Sequence, residues 1–250
     1  MATTTDNTTA WLRRYHRSDA AVRRLVCFPH AGGAASFFLP VAARFSPAVD
    51  VIAIQYPGRQ DRRHEQCVGD IATLADLIAD QLRKLEVKPT VFFGHSMGSA
   101  VAFETAWRLE RDNLGPRVLV ASGYRAPSIR FDHGVHCRDD DGVVAEIRRL
   151  DGTDAGLLAD EDVLRMALPA IRGDYRAIEN YVAAPDRVLA CPITTLIGDA
   201  DPEVDLEQAR SWASHSAGTF RLKVFPGGHF YLVAQQAGVG EEIAYELDRC

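Results

Sequence analysis

The sequence predicts an α/β fold: a mostly parallel central sheet flanked by helices, with one helical insertion late in the chain. Two observations carry this. Short runs rich in β-branched and aromatic residues recur between helical patterns, at Leu25–Phe28, Val51–Ile54, Val91–Phe93, Val118–Ala121, Ile193–Ile197 and Phe220–Phe225, and such alternation implies parallel strands joined by helical crossovers. Several of the runs are almost uniformly apolar, as strands covered on both faces must be. The last run alternates more and is expected near a sheet edge.

The helices follow from spacing. Ile71, Leu74, Ile78, Leu82 and Leu85 recur at intervals of three and four, which places them on one stripe of a helix beginning near Asp70 and packing on the sheet. A second helix follows Ser96 directly. A third runs from about Gly240 to the C-terminus, with Ile243 and Leu247 four apart. From Pro127 to Leu189 the strand–helix rhythm stops: the segment carries helical patterns, the acidic cluster Asp139-Asp140-Asp141 and no convincing strand. Residues 1–126 and 190–250 are therefore expected to form the core, and 127–189 an inserted helical lid.

Composition excludes several classes of protein. A chain of 250 residues with 47% hydrophobic and 25% charged residues can bury a substantial core and has none of the bias of disordered or fibrous chains. A formal net charge of -6 favours neither nucleic acid nor an anionic membrane as partner. The five cysteines, Cys27, Cys67, Cys137, Cys191 and Cys250, are scattered with no close pair and read as reduced thiols. Met1–Ala10 is a polar, Thr-rich run without the apolar stretch of a secretory signal, and no segment approaches the roughly 20 apolar residues that cross a bilayer. A cytoplasmic protein needing no metal or disulfide is expected.

The chemistry is carried by Gly94-His95-Ser96-Met97-Gly98, a G-x-S-x-G pattern between an apolar strand and an alanine-rich helix. That context marks the nucleophile elbow of the α/β-hydrolase fold: Ser96 Oγ is presented at a strained turn, while glycines on either side let strand and helix approach. A serine hydroxyl becomes an effective nucleophile only when an imidazole takes its proton and a carboxylate orients that imidazole. In this fold the acid and then the histidine follow the serine.

Of the later histidines, His133 and His136 fall in the insertion and His215 on a polar helix, where a solvated role is expected. His229 alone lies in a glycine-bearing loop just past a strand, Pro226-Gly227-Gly228-His229, and is the candidate base. His95 is given a structural role. Asp199, Asp201 and Asp205 all follow the strand Ile193–Ile197, and any of them could instead cap the next helix. Acyl transfer also needs oxyanion donors. The backbone N–H of Met97 supplies one, and that of Ala31, in the loop Phe28-Pro29-His30-Ala31-Gly32-Gly33, is the natural second.

Together these motifs resemble the external, or type II, thioesterases of polyketide synthases and non-ribosomal peptide synthetases. The resemblance spans nearly the whole chain: the His30 loop, Tyr56-Pro57-Gly58-Arg59, the Ser96 elbow, Leu168-Pro169-Ala170-Ile171-Arg172 with Asp174-Tyr175, Gly198 through Pro202, and Phe225-Pro226-Gly227-Gly228-His229-Phe230. It implies Asp201 as the catalytic acid, Ala31 and Met97 as oxyanion donors, and no cofactor. The substrate it implies is an acyl group on the phosphopantetheine arm of an acyl or peptidyl carrier protein. Two positions depart from the pattern: Ser99, where alanine is more usual, and Gln60, where glycine is more familiar.

Leu157, Leu158, Leu164, Met166, Leu168 and Ile171 are candidates for an acyl channel in the insertion. Arg59, Arg62 and Arg63, after the second predicted strand, are candidates for a basic surface meeting an acidic carrier, with Arg130, Arg138, Arg148 and Arg149 as the other choice; equally, the trio reads as a solvated charged loop with Arg59 tied to a nearby carboxylate. The chain's start at Met1 suggests a separate polypeptide rather than the end of a synthase. A carboxylesterase or lipase acting on free esters would share the same motifs, and a non-catalytic ligand-binding relative would be expected to lack a triad member.

Overall fold

The computed structural model describes residues 6–16, 20–130, 133–150 and 161–250. These residues form an eight-stranded sheet ordered β1-β2-β4-β3-β5-β6-β7-β8, with strands β1 Asp6–Thr9, β2 Leu12–Arg14, β3 Arg23–Phe28, β4 Val49–Ile54, β5 Thr90–His95, β6 Val118–Ser122, β7 Ile193–Gly198 and β8 Phe220–Phe225. From β4 to β8 every pairing is parallel, and β2 pairs with β4 antiparallel. All six expected strands are present, and β8 is the edge strand its alternation suggested.

The uniformly apolar strands have a simple cause. Successive side chains point to opposite faces, and both faces are covered. Val26, Ile52 and Phe92 pack with the helices α2 (Ile71–Leu82) and α3 (Met97–Glu110). Leu25, Val51, Val91 and Phe93 face the other way, onto α1 (Leu39–Phe45) and the C-terminal helix. Helix α2 starts where the spacing placed it, with Asp70 accepting a hydrogen bond from the Thr73 N–H at 2.7 Å. It stops at Leu82, so Leu85 lies in the turn beyond.

Within 127–189 the described residues form a short 3-10 turn at Val135–Cys137 and two helices, α4 (Asp140–Arg149) and α5 (Glu161–Glu179), and add no strand to the sheet. Asp139 caps α4 through the Gly142 N–H, and the acidic cluster thereby sits at a helix N-terminus, where negative charge is favoured. Leu164, Leu168 and Ile171 are buried, whereas Met166 is exposed; Leu157 and Leu158 lie outside the described residues. Three short or long helices complete the chain: α6 (Leu206–Arg210), α7 (Tyr231–Ala234) and α8 (Gln236–Asp248).

Three expectations are corrected. The polar, Thr-rich start carries strands that the apolar runs did not include, since residues 6–9 and 12–14 form a hairpin that extends the sheet past β4. Helix α8 begins at Gln236, a turn before Gly240. His215 is not solvated: it is fully buried, bonded to Ser128 Oγ at 2.8 Å and the Arg187 carbonyl at 2.7 Å, against the rings of Phe103 and Trp212. All five cysteines are free, and no helix among the described residues is long and apolar enough to cross a membrane.

The departure at Gln60 has a backbone explanation. Its φ is 49°, in the left-handed region that costs a residue with a Cβ about 1 kcal/mol, and its side chain amide donates to Ser36 Oγ at 2.7 Å on the surface. An exposed hydrogen bond of that kind offsets only part of the strain. Gln60→Gly is therefore expected to raise the melting temperature by about 2 °C, measured by calorimetry. A lowered value would mean that the Ser36 contact outweighs the backbone strain.

Candidate active site

The six parallel strands all end on the same edge of the sheet, and loops from that edge supply every candidate residue, as expected for ligand sites in open α/β sheets. Ser96 joins β5 to α3 at φ 54° and ψ -125°, a conformation that persists only where its surroundings enforce it. Here the enforcing contact is steric. A Cβ at Gly94 would lie 2.3 Å from the Gly98 carbonyl oxygen, and one at Gly98 would lie 2.0 Å from the Phe28 carbonyl oxygen. Any side chain at either position would push α3 off the sheet.

His229, in the loop after β8, places Nε2 3.0 Å from Ser96 Oγ and Nδ1 3.0 Å from both carboxylate oxygens of Asp201. The carboxylate can only accept, so Nδ1 carries the proton and Nε2 is left to accept from the serine hydroxyl. Both side chains are almost wholly buried, and Asp201 is held in turn by the Glu203 N–H at 2.9 Å. The three aspartates of this loop have separate tasks. Asp199 accepts from the Gly227 N–H at 2.9 Å, bracing the histidine loop, and Asp205 caps α6 in a capping box.

Met97 is the first residue of α3, so its N–H has no partner within the helix. It lines, together with Ser96, His229 and Ala31, a cavity of about 30 Å³ whose far wall is Tyr175 and Ile178 of α5. Nucleophile, base, acid and both proposed donors are thus brought to one place.

The thioesterase domain family matches residues 23–247. The chain belongs to the thioesterase family. Accordingly it is a hydrolase acting on thioesters. It is 61% identical to the probable cadicidin biosynthesis thioesterase of Streptomyces griseus over 98% of this chain and 68% of that one. To thioesterase PikA5 of Streptomyces venezuelae it is 44% identical, over 95% and 85% of the two chains. The solved structure of the type II thioesterase BorB, from the borrelidin biosynthetic cluster, superposes with a TM-score of 0.91 at 46% identity, covering 96% of this chain and 98% of that one.

One supporting element of this thioesterase escaped the motif reading. Asp174, on α5, is buried and accepts from the Gly32 N–H at 2.7 Å and from both terminal nitrogens of Arg59 at 2.6 and 2.7 Å. Arg59 donates further to the Gly33 carbonyl at 2.9 Å. Burial alone would make the guanidinium easier to discharge, but the facing carboxylate outweighs it and holds Arg59 above its ordinary range. This bidentate pair ties the insertion to the loop that carries Ala31. Both residues stood in those motifs, but with Arg172 two positions from Asp174 nothing in the strings singled out Arg59 as its partner.

The pair is the tie to a carboxylate left open for Arg59, and it removes that residue from the expected basic surface. Arg59 and Arg62 are buried, the latter bonded to Glu65 and to the Gln55 carbonyl with its guanidinium 4.2 Å from the Trp11 ring centroid. Of that trio only Arg63 is exposed. In the insertion, Arg138 and Arg149 both bind Glu146, and Arg149 also binds Glu203. Glu146 and Glu203 come with His133 within metal-binding reach of one another, but these guanidinium groups already match both carboxylates.

Behind His229 stand two further imidazoles, His95 with its ring 5.1 Å away and His30 at 6.0 Å from His95, with Phe230 packed against all three. Burial pushes His30 down to about 3 and His95 well below its ordinary 6.5, and the charge His229 can carry adds to both shifts. Unfolding returns each ring to its ordinary value, so below pH 6.5 the unfolded chain binds protons that the folded one does not. Stability from these groups is fully present above that pH and falls as pH drops toward the folded values. Denaturant midpoints are expected to decrease from pH 7.5 to pH 5, and a level profile would mean that these rings protonate without unfolding.

Proposed function

We propose that this thioesterase hydrolyses acyl groups from the phosphopantetheine arm of acyl or peptidyl carrier proteins, clearing stalled or aberrant units in polyketide or non-ribosomal peptide biosynthesis. The observation that carries the reading is the unbroken line from Ser96 Oγ through His229 to Asp201, each step 3.0 Å, at a strained elbow. The named relatives of antibiotic pathways support the biosynthetic setting.

In this mechanism Ser96 Oγ attacks the thioester carbonyl while His229 Nε2 takes its proton, and Asp201 steadies the resulting imidazolium. Negative charge gathers on the carbonyl oxygen, where the N–H groups of Ala31 and Met97 donate. The C–S bond then breaks, and His229 returns the proton to the departing thiolate, giving the free pantetheine thiol and an ester on Ser96. Water repeats the sequence: His229 removes its proton, the acid product leaves, and Ser96 is restored. No cofactor takes part.

The cavity of about 30 Å³ has room for only a couple of water molecules, so an acyl chain on its arm must displace the walls. Tyr175 and Ile178 on α5 and Leu150 at the end of α4 are the walls contributed by the insertion. In our reading residues 127–189 are a lid that must shift for the arm to reach Ser96, over a core of 1–126 and 190–250.

Ser96→Ala is expected to lower turnover of an acyl carrier protein thioester by about a million-fold with the fold intact, as is typical of a triad that acts as a unit. Asp201→Asn should lower it by about ten-thousand-fold, the scale of a lost orienting carboxylate. Asp199→Asn keeps an oxygen for the Gly227 N–H and should be mild. Steady-state rates on acyl-loaded carrier proteins and on a simple ester check both points. Reversal of the two aspartates would move the acid to Asp199, and faster turnover of the free ester would favour an esterase.

A further inference from the structure

Ser99 follows the second glycine of the elbow, is fully buried, and has a hydroxyl where alanine is expected. That hydroxyl accepts from the Ser122 N–H at 3.1 Å. Its own proton is directed to the Gly94 carbonyl at 2.9 Å or the Ser122 carbonyl at 3.0 Å. It therefore joins the ends of β5 and β6, two residues before the nucleophile on one strand and beside it on the other, where His95 pairs with Ser122.

Ser122 continues the connection in two directions. Its carbonyl also receives the Ser96 N–H at 2.8 Å, so the oxygen that holds the nucleophile's backbone is also one of the two within reach of the Ser99 proton. Its hydroxyl lies 2.9 Å from His95 Nδ1 and 2.7 Å from the hydroxyl of Tyr231. Tyr231 opens α7, two residues past His229, and is itself buried. Among the described residues a hydrogen-bonded path thus runs from the elbow to the base loop without passing through the Ser96–His229 contact.

We propose that Ser99, Ser122 and Tyr231 form a strut that sets the separation of Ser96 Oγ and His229 Nε2, making them positioning residues for acyl transfer. The inference rests on Ser96 and His229 being nucleophile and base. A strained serine needs such support, because a misplacement of about 1 Å at reacting atoms can cost roughly a hundredfold in rate. The packing of Gly94 and Gly98 fixes how closely α3 approaches the sheet; the strut fixes how the turn is oriented toward the neighbouring strand and the base.

The test compares wild type, Ser99→Ala, Tyr231→Phe and the double variant by their rate of Ser96 phosphonylation with a small fluorophosphonate. That reaction reports the alignment of nucleophile and base and needs no carrier. Each single variant is expected to react about tenfold more slowly, the scale of one buried hydrogen bond, with kcat on a carrier-bound thioester falling in parallel and KM unchanged. The double variant should be little slower than the singles, because both cut one connection. Rates within twofold of wild type, whatever the melting temperature does, would overturn the strut, as would losses that multiply independently. Phosphonylation persisting in Ser96→Ala would instead remove the nucleophile on which the strut depends.

Discussion

A serine held at φ 54° between a buried strand and a buried helix is the constraint around which this thioesterase is organised. The conformation is unfavourable in isolation, and every feature near it either forces it or uses it. Two glycines leave no space for a relaxed turn, the central strand is covered on both faces so it cannot yield, and the Ser122 carbonyl takes the N–H that the turn would otherwise leave unpaired. The outcome is an Oγ exposed to a cavity and a helix N-terminus aimed at the same point. Fold and chemistry are one arrangement here.

Around that centre, distant parts of the chain are joined by ionic contacts, one buried and one at the surface. Arg59 and Asp174 lie 115 positions apart and meet beneath the loop bearing Ala31. Arg149 reaches from α4 to Glu203, whose N–H holds the carboxylate of Asp201. The insertion is therefore connected electrostatically to both the donor loop and the acid loop. Removing one partner of a buried pair leaves a charge with neither water nor counter-ion, which is the costly way to break it. A displacement of the insertion would consequently be felt at the loops that bear Ala31 and Asp201.

The sheet, the elbow and the histidine that faces Ser96 were legible from the sequence because each has a short-range signal: apolar runs, a strand-to-helix G-x-S-x-G, and a histidine in a glycine loop. Which aspartate meets His229 was not separable by spacing among Asp199, Asp201 and Asp205, since all three sit in one loop; their different partners depend on which loop each faces. His215 was misread because the serines around it outweighed Trp212, three residues earlier, and nothing nearby in the sequence signals Phe103, which also covers it. The burial of Arg59 and Arg62 was not visible either: Asp174 lies 115 positions from Arg59, and Glu65, three residues after Arg62, says nothing of the Trp11 ring beside that guanidinium. Strand β2 is three residues long with a single large apolar side chain, Leu12, too little for a pattern.

The edge formed by β8 bears on how the protein behaves in a crowded solution. An uncovered strand presents free backbone groups on which another molecule's strand can assemble. Here the alternating side chains that marked the edge include Arg221 and Lys223, both paired with Glu242 of α8, while Lys223 remains half exposed. A second copy approaching along this edge would have to bury that ammonium and part of its ion-pair network. The cations that tether the last helix thereby also place charge beside the open edge of the sheet, which disfavours pairing with another strand.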